Sequence, residues 1–385
     1  MTLPLNSHDE WSPLREIIVG SSKNYVSHDR ELSFDLFFHE NLFRSDWAYP
    51  RLNQRRDNTQ VTDDRSWKIK QQYVDELTED VEDLAKALES LGVTVHRPVE
   101  LPEDPEPIAG FGWQAPPIPP LNLRDNTLVV GDEIIETPPA IRSRYLETRL
   151  LTPIFTDYFD RGAKWTTMPR PILTDNSFDQ SYARDLETSL GGPTEVIEDP
   201  QASPYDVGFE MMLDGAQCLR LGRDIVVNVA NENHAKGYRW LERHLRGEYR
   251  VHRVDRLSDN HIDSMVLALR PGVFLARHPD IRDKMPEPFK KWRFLVPPEP
   301  DTTSFPRYHD DDLVLTSPYI DLNVLSISPD QVMVNEACTG LRTMLEREGF
   351  EVIPVRHRHR RLFGGGFHCF TLDTVRDSVL EDYAA

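Results

Sequence analysis

The chain has 385 residues, 39% of them hydrophobic and 28% charged, and carries a formal charge of −20. Such acidity excludes a nucleic-acid binder, which needs a basic surface to neutralise phosphates, and no stretch approaches the roughly 20 apolar residues of a helical membrane span. An acidic surface favours a cationic small substrate only weakly, because net charge speaks first to solubility. The opening MTLPLNSHDEW has neither a basic nor an apolar leader segment, so a cytoplasmic protein is expected. Its three cysteines, Cys218, Cys338 and Cys369, suit reduced thiols better than a disulfide framework.

The first apolar run, residues 15–20 (REIIVG), reads as a strand. A helix is expected over 71–91, because Val74, Leu77, Val81, Leu84, Leu88 and Leu91 recur at spacings of three and four before Gly92. A strand over 93–97 follows. Residues 127–137 (TLVVGDEIIET) predict two strands about a Gly-Asp turn, 140–161 a mostly helical stretch split or kinked at Pro153, and 163–169 a third strand. The same order returns from 219, with a helix over 234–245 and a strand from 249. It returns from 267, with a strand from 292, and again from 324, with a helix over 336–348 and a strand from 350. The first copy lacks only its leading strand, which residues 370–372 at the far end can supply. The expectation is therefore one domain, 1–385, of repeated strand-strand-helix-strand units closed into a ring by its two ends. The long polar or proline-rich insertions 26–66, 98–120 and 170–208 are expected to be lids or binding loops.

Equivalent strand ends in such a ring face a common axis. The ionisable residues just ahead of the leading strands are Asp125, Asp214, His261 and Cys369, and the remaining copy offers Thr316 and Ser317. A thiol, an imidazole and carboxylates brought together are what nucleophilic thiol catalysis requires. Cys369 follows Gly364-Gly365-Gly366, a run that lets backbone approach a ligand closely. Blander roles stay open: a turn residue for Asp214, a partly buried histidine for His261, and a structural ion pair for Asp263. Cys218 and Cys338 read as packing thiols. The RHRHRR cluster at 356–361 reads as a solvated basic edge, or more sharply as an anion site; its His-x-His pair lacks the companions of a metal site.

These residues and their neighbours resemble the amidinotransferase family, which includes glycine amidinotransferase and the inosamine-phosphate amidinotransferases of aminoglycoside biosynthesis. The resemblance runs through LNSHDEWSPLREIIVG (5–20), LRDNTLVVGDEIIETP (123–138), DYFDRGAKWTTMPRP (157–171), LDGAQCLRLGRDI (213–225), HIDS (261–264), LNVL (322–325) and GGGFHCFTLD (364–373). It implies a pentein-type α/β propeller of five pseudo-symmetric ββαβ units. It also implies Cys369 as nucleophile, His261 as general acid and base, and Asp214 as the carboxylate orienting His261. Asp125 and Asp263 would grip the donor guanidinium, and Thr316 and Ser317 would contact ligand. The implied reaction moves an amidino group from an arginine-like donor to an amine acceptor through an amidino-cysteine, with no metal or organic cofactor. The antibiotic-pathway branch is the nearer match, and a homodimer is an open option. A hydrolase of the same fold, or a binder of a cationic ligand, stands as the alternative. One departure is visible. Glycine-type members carry a carboxylate-binding arginine in an Asn-Pro-Asp-Arg stretch, where this chain reads ARHPDIRDK (276–284) and offers Arg277 or Arg282 out of register.

Overall fold

In the computed structural model, residues 3–26, 28, 31–38, 69–181, 200–307 and 314–385 are described. Parts of the 26–66 and 170–208 insertions therefore lie outside the described residues. The elements in chain order are β1 (Leu14–Val19), α1 (Leu32–Phe37), α2 (Gln71–Ser90), β2 (Thr94–His96), β3 (Ile108–Ala109), β4 (Gln114–Ala115), β5 (Thr127–Val130) and β6 (Glu133–Glu136). Then come α3 (Thr152–Asp160), β7 (Lys164–Thr167), β8 (Cys218–Leu221), β9 (Asp224–Val229), α4 (Glu232–His244), β10 (Arg250–Asp255), β11 (Val266–Arg270), β12 (Val273–Ala276) and α5 (Ile281–Lys284). The last are β13 (Arg293–Leu295), β14 (Leu325–Ser328), β15 (Gln331–Asn335), α6 (Thr339–Arg347), β16 (Glu351–Val355) and β17 (Thr371–Arg376).

The strands form five three-stranded sheets of one pattern: a leading strand antiparallel to a central one, which is parallel to a third. β5-β6-β7, β8-β9-β10, β11-β12-β13 and β14-β15-β16 are local in sequence. In the remaining sheet the leading strand is β17, antiparallel to β1, with Ile18 opposite Leu372 and Val19 opposite Thr371, and β1 runs parallel to β2. The missing leading strand is therefore supplied by the end of the chain, over 371–376 rather than 370–372. A small β3–β4 hairpin lies in the 98–120 insertion. Among the described residues no sheet closes on itself.

The apolar faces are shared between consecutive units. β1, β17 and β5 contribute Ile18, Leu372 and Val129 to one cluster; β5, β6, β8 and β9 form the next, with Leu128, Ile135, Cys218 and Val227. Leu221 and Val226 meet Val266 and Phe274, and Leu267 and Leu275 meet Val324 and Val332. Leu325 and Met333 in turn pack with Ile17 and the α2 stripe. That stripe buries Val74, Leu77, Val81, Leu84 and Leu88, each worth about 1.5–3 kcal/mol in removed apolar surface. Leu91, expected in the stripe, is exposed beyond the end of the helix, where Gly92 turns the chain at positive φ.

Two local expectations change. Pro153 does not split a helix; it sits in the first turn of α3, where a missing N–H costs nothing, and the preceding stretch forms short 3₁₀ turns. The 356–361 cluster is not a solvated edge. Arg356 and Arg358 bond Asp80 and its neighbours on α2, His359 bonds Glu76, and Arg360 bonds Asp321. His357 contacts the Gly365 carbonyl instead, so the two histidines face different partners.

A buried ionic knot ties the chain ends to the middle of the molecule. Arg220 on β8 donates to both carboxylate oxygens of Glu10 and of Asp373, to the Ser7 hydroxyl and to the Val129 carbonyl. Arg376 also bonds Asp373, at 2.6 Å. Removing one partner of such a group strands the others, so Arg220→Met is expected to lower stability by about 3–5 kcal/mol. Urea unfolding monitored by circular dichroism checks this, and a loss under about 1 kcal/mol would contradict the role.

Candidate active site

One structural device recurs ahead of the leading strands. Single-turn 3₁₀ helices at Leu123–Asp125, Gly215–Gln217, Ile262–Ser264 and Pro318–Leu322 precede β5, β8, β11 and β14. Asp125 ends the first, while Asp214, His261 and Ser317 sit at the N-caps of the others. The fifth leading strand, β17, is preceded by the tight turn that carries Cys369. Asp125, His261, Asp263, Thr316, Ser317 and Cys369 consequently line one cavity that opens to solvent, about 1050 Å³ of empty space with its mouth included. Asp214 stands behind His261 and supports it from outside the lining.

His261 places Nε2 2.9 Å from Asp214 Oδ2, and its Nδ1 faces Asp125 Oδ1 at 3.8 Å. The ring is packed edge-on against Phe37 of α1, centroids 5.2 Å apart. Burial would push the imidazole down, but the charges of Asp125, Asp214 and Asp263, with the bond to Asp214, outweigh it and hold His261 up at about 9. It is an imidazolium at neutral pH, a proton donor. Burial raises Asp125 above its ordinary range despite the opposing charges of His261 and Arg144. Arg144 bonds Asp125, Glu147 and the Asn122 carbonyl, and so fixes Asp125 from the cavity wall.

Cys369 is 4% exposed. Its Sγ lies 3.5 Å from Asp263 Oδ2 and its backbone N–H donates to Asn323 Oδ1 at 2.8 Å. Desolvation first, then the charges of Asp263 and Asp125, raise the thiol well above its ordinary value. Asp263 behaves oppositely: although burial pushes it up, the bond and charge of His368, with His261 and Arg124, pull it down to about 2. The glycines before Cys369 serve packing more than ligand approach. A Cβ on Gly366 would sit 2.6 Å from the Asn323 carbonyl oxygen, and one on Gly365 2.6 Å from the Phe370 ring. Only Gly364, at positive φ, lines the cavity.

The other predicted residues separate. Thr316 and Ser317 are on the wall, with Ser317 Oγ capping Tyr319 N–H at 3.1 Å. Arg277 lines the cavity, stacked over Tyr319 at 4.6 Å, whereas Arg282 is exposed and covers Phe294 outside it. Sequence reasoning missed Asn323, His368 and Arg144. The first two sit inside the LNVL and GGGFHC blocks, but no spacing marks a residue that acts by holding another side chain. Asp125, Asp214 and His261 could each offer a ligand atom to a metal, all within 4.8 Å of one another. Arg144 takes one oxygen of Asp125, and the charges around His261 favour its protonated form, which must give up its proton before it can ligate, so this donor set suits an organic cation better.

A buried thiol, an imidazolium and carboxylates thus stand together around one cavity. Mitochondrial glycine amidinotransferase of Xenopus tropicalis is 32% identical over 394 residues, covering 99% of this chain and 85% of the relative. Inosamine-phosphate amidinotransferase 1 of Streptomyces glaucescens is 32% identical over 378 residues, 98% of each chain. Among solved structures, the inosamine-phosphate amidinotransferase of Streptomyces griseus superposes with a TM-score of 0.79 at 30% identity, covering 99% of each chain. A saxitoxin-pathway amidinotransferase of Microseira wollei gives 0.76 at 28%, covering 99% of this chain and 100% of that one. A dimethylarginine dimethylaminohydrolase, at 0.54 and 14% over 93% of this chain and 99% of that one, shares the pentein fold alone. No protein-family model matches the chain. The chain belongs to the amidinotransferase family and is a transferase.

The raised His261 value is a statement about coupling as well as chemistry. Because the folded-state value lies above the ordinary 6.5, its stabilising contribution is full below about 6.5 and disappears as pH rises through about 9. Asp214→Asn removes one of the raising charges, and the His261 value is expected to fall by about one unit or more. An NMR titration of labelled imidazole carbons measures it; an unchanged midpoint would contradict the assigned pairing.

Proposed function

We propose that this protein transfers an amidino group from a guanidino donor, arginine in the first instance, to an acceptor amine through a covalent amidino-Cys369. The observation that carries this reading is a slot for a cation with donors all round its edge. Asp125 Oδ1 and Asp263 Oδ1 are buried acceptors without a hydrogen-bond partner among the described residues, beside a thiol and an imidazolium. A guanidinium presents five N–H donors in one plane, so carboxylates along its edge can hold it with the carbon turned to sulfur.

The field of the site then orders the steps. With the slot empty, burial and the carboxylate charges keep Cys369 a thiol. A bound guanidinium cancels those charges and favours release of the thiol proton to solvent. The thiolate attacks the guanidinium carbon, forming a C–S bond. The C–N bond to the donor breaks as His261 gives its proton to the departing amine nitrogen, which leaves an S-amidino-cysteine. A neutral acceptor amine then attacks the same carbon, the C–S bond breaks, and the surplus proton of the new C–N bond returns to His261. Arginine and an amine thus become ornithine and a guanidino compound. General acid and base work of this kind contributes about 10²–10⁴-fold, and Asp214 keeps the ring oriented through both halves.

We further read the chain as one catalytic domain in which the five units close into a ring. Support comes from the five shared apolar clusters, the last of which joins the fifth unit to the first. Three relatives named above act in inosamine-phosphate or saxitoxin chemistry, and this favours a specialised acceptor amine over glycine. Among the described residues no helix is long and apolar enough to cross a membrane.

Incubation with arginine, with and without candidate amines, tests the reaction. Ornithine formed only with an amine is the expected result; citrulline would indicate hydrolysis, and no turnover would point to another donor. Intact-mass spectra of quenched enzyme should show one added amidino group on the wild type and none on Cys369→Ala, which is expected to lose at least about 10³-fold in rate. Full activity in that variant would overturn the mechanism.

A further inference from the structure

Behind Cys369 lies a second imidazole with no part in the steps above. His368 Nδ1 is 2.7 Å from Asp263 Oδ2, and its Nε2 is 3.4 Å from Glu10 Oε2. Glu10 is the carboxylate held by Arg220 in the ionic knot at the chain ends. The backbone of His368 is fixed as well: its N–H donates to the Asn323 carbonyl at 3.3 Å and its carbonyl accepts from Arg124 Nε. His368, Asp263 and Glu10 are all buried, so none of these bonds is exchanged with water.

The contacts of Asp263 are unevenly shared between its two oxygens. Oδ2 takes His368 Nδ1, Asn323 Nδ2 at 3.1 Å and Cys369 Sγ at 3.5 Å. Oδ1 has no hydrogen-bond partner among the described residues. A carboxylate pinned by one oxygen presents the other in a fixed direction. Left unpinned in a buried setting, it would rotate or take up a proton, since burial alone disfavours the charged form.

We infer that His368 is a positioning residue for the transfer reaction: by bridging Asp263 to the Glu10–Arg220 knot it fixes the free oxygen of Asp263 to receive the donor cation. This rests on the proposed guanidinium slot and adds to it the device that keeps the slot aimed and charged. The neighbouring groups act in the same direction. His261 and Arg124 add positive charge near Asp263, and the strongest depressing influence on its carboxyl is His368 itself. On the far side of the ring, Glu10 is held well below its ordinary range against burial by Arg220 and His368. An imidazole suits the bridge because its two ring nitrogens point in opposite directions, and each here meets a carboxylate oxygen.

Two substitutions separate positioning from simple support of the fold. His368→Leu removes both ring nitrogens and their contacts, whereas His368→Asn places an amide N–H near the position of Nδ1. Steady-state rates over a pH series, with donor and acceptor varied separately, should show a donor KM raised roughly tenfold or more for His368→Leu. The acid limb of kcat/KM for the donor should move up by about one pH unit or more, because Asp263 then holds its proton to higher pH. His368→Asn should bring donor KM back to within about threefold of wild type and restore most of the acid limb. Acceptor KM should stay unchanged in both. If His368→Leu does not fold, His368→Asn decides alone: a donor KM raised tenfold, or kcat lost with donor KM and acid limb unmoved, overturns the inference. So does a folded His368→Leu with wild-type donor KM and acid limb. Absence of amidino transfer in the wild type would instead remove the proposed function, so the two failures are distinguishable.

Discussion

The pairing of the last strand with the first is the constraint on which this molecule depends. β17 completes the sheet of β1 and β2, and Cys369 sits two residues before it, so this thiol reaches its place in the cavity only when residues some 350 positions apart have met. Apolar packing alone would leave the register of one short edge strand weakly defined. The Arg220 knot removes that freedom, because its donors fit Glu10, Asp373, Ser7 and Val129 in one arrangement. A one-residue slip would strand buried charges, a cost that the apolar packing of one short strand does not offset. The same knot reaches the cavity through Glu10 and His368, which contacts Asp263, so the pairing of the chain ends and the placing of that carboxylate are linked.

The site itself is held in tension. Carboxylates gathered around a thiol work against its ionisation, and an imidazolium at about 9 is stabilised by those same charges. In the proposed reaction a field of that sign disfavours the thiolate in the empty site and favours it once a cation enters, which would link reactivity to occupancy. Arg144 holds one oxygen of Asp125 and His368 one oxygen of Asp263, which keeps the cluster from repelling itself without filling the remaining oxygen of either carboxylate.

Charge is also used at a distance from the chemistry. The acidic face of α2 is answered by Arg356, Arg358 and His359, so the segment leading into the glycine turn is clamped to the first unit before the chain reaches Cys369. In sequence, the basic run looks like a solvated edge. Its partners lie some 280 residues earlier, a separation that local pattern cannot bridge.

Much of this protein is written locally. Strand pairs around short turns, the α2 stripe and the recurrence of one unit are legible because hydrophobic periodicity is a short-range property. The recurrence itself is what brought Asp125, Asp214, His261 and Cys369 into one list, since equivalent positions in equivalent units face the same way. What local pattern could not supply are the pairs across units. Asn323 holding the backbone of Cys369 and His368 against Asp263 are such pairs, and Arg144 against Asp125, though within one unit, likewise joins residues brought near only by packing. The same is true of Arg277, which enters the cavity while Arg282 does not, although both stand in one short stretch of sequence. Periodicity determined which faces are buried and which residues precede each leading strand. The tertiary structure alone decided protonation, aim and accessibility, because those depend on the sum of charges and on desolvation over a few ångströms of space, whatever the distance along the chain.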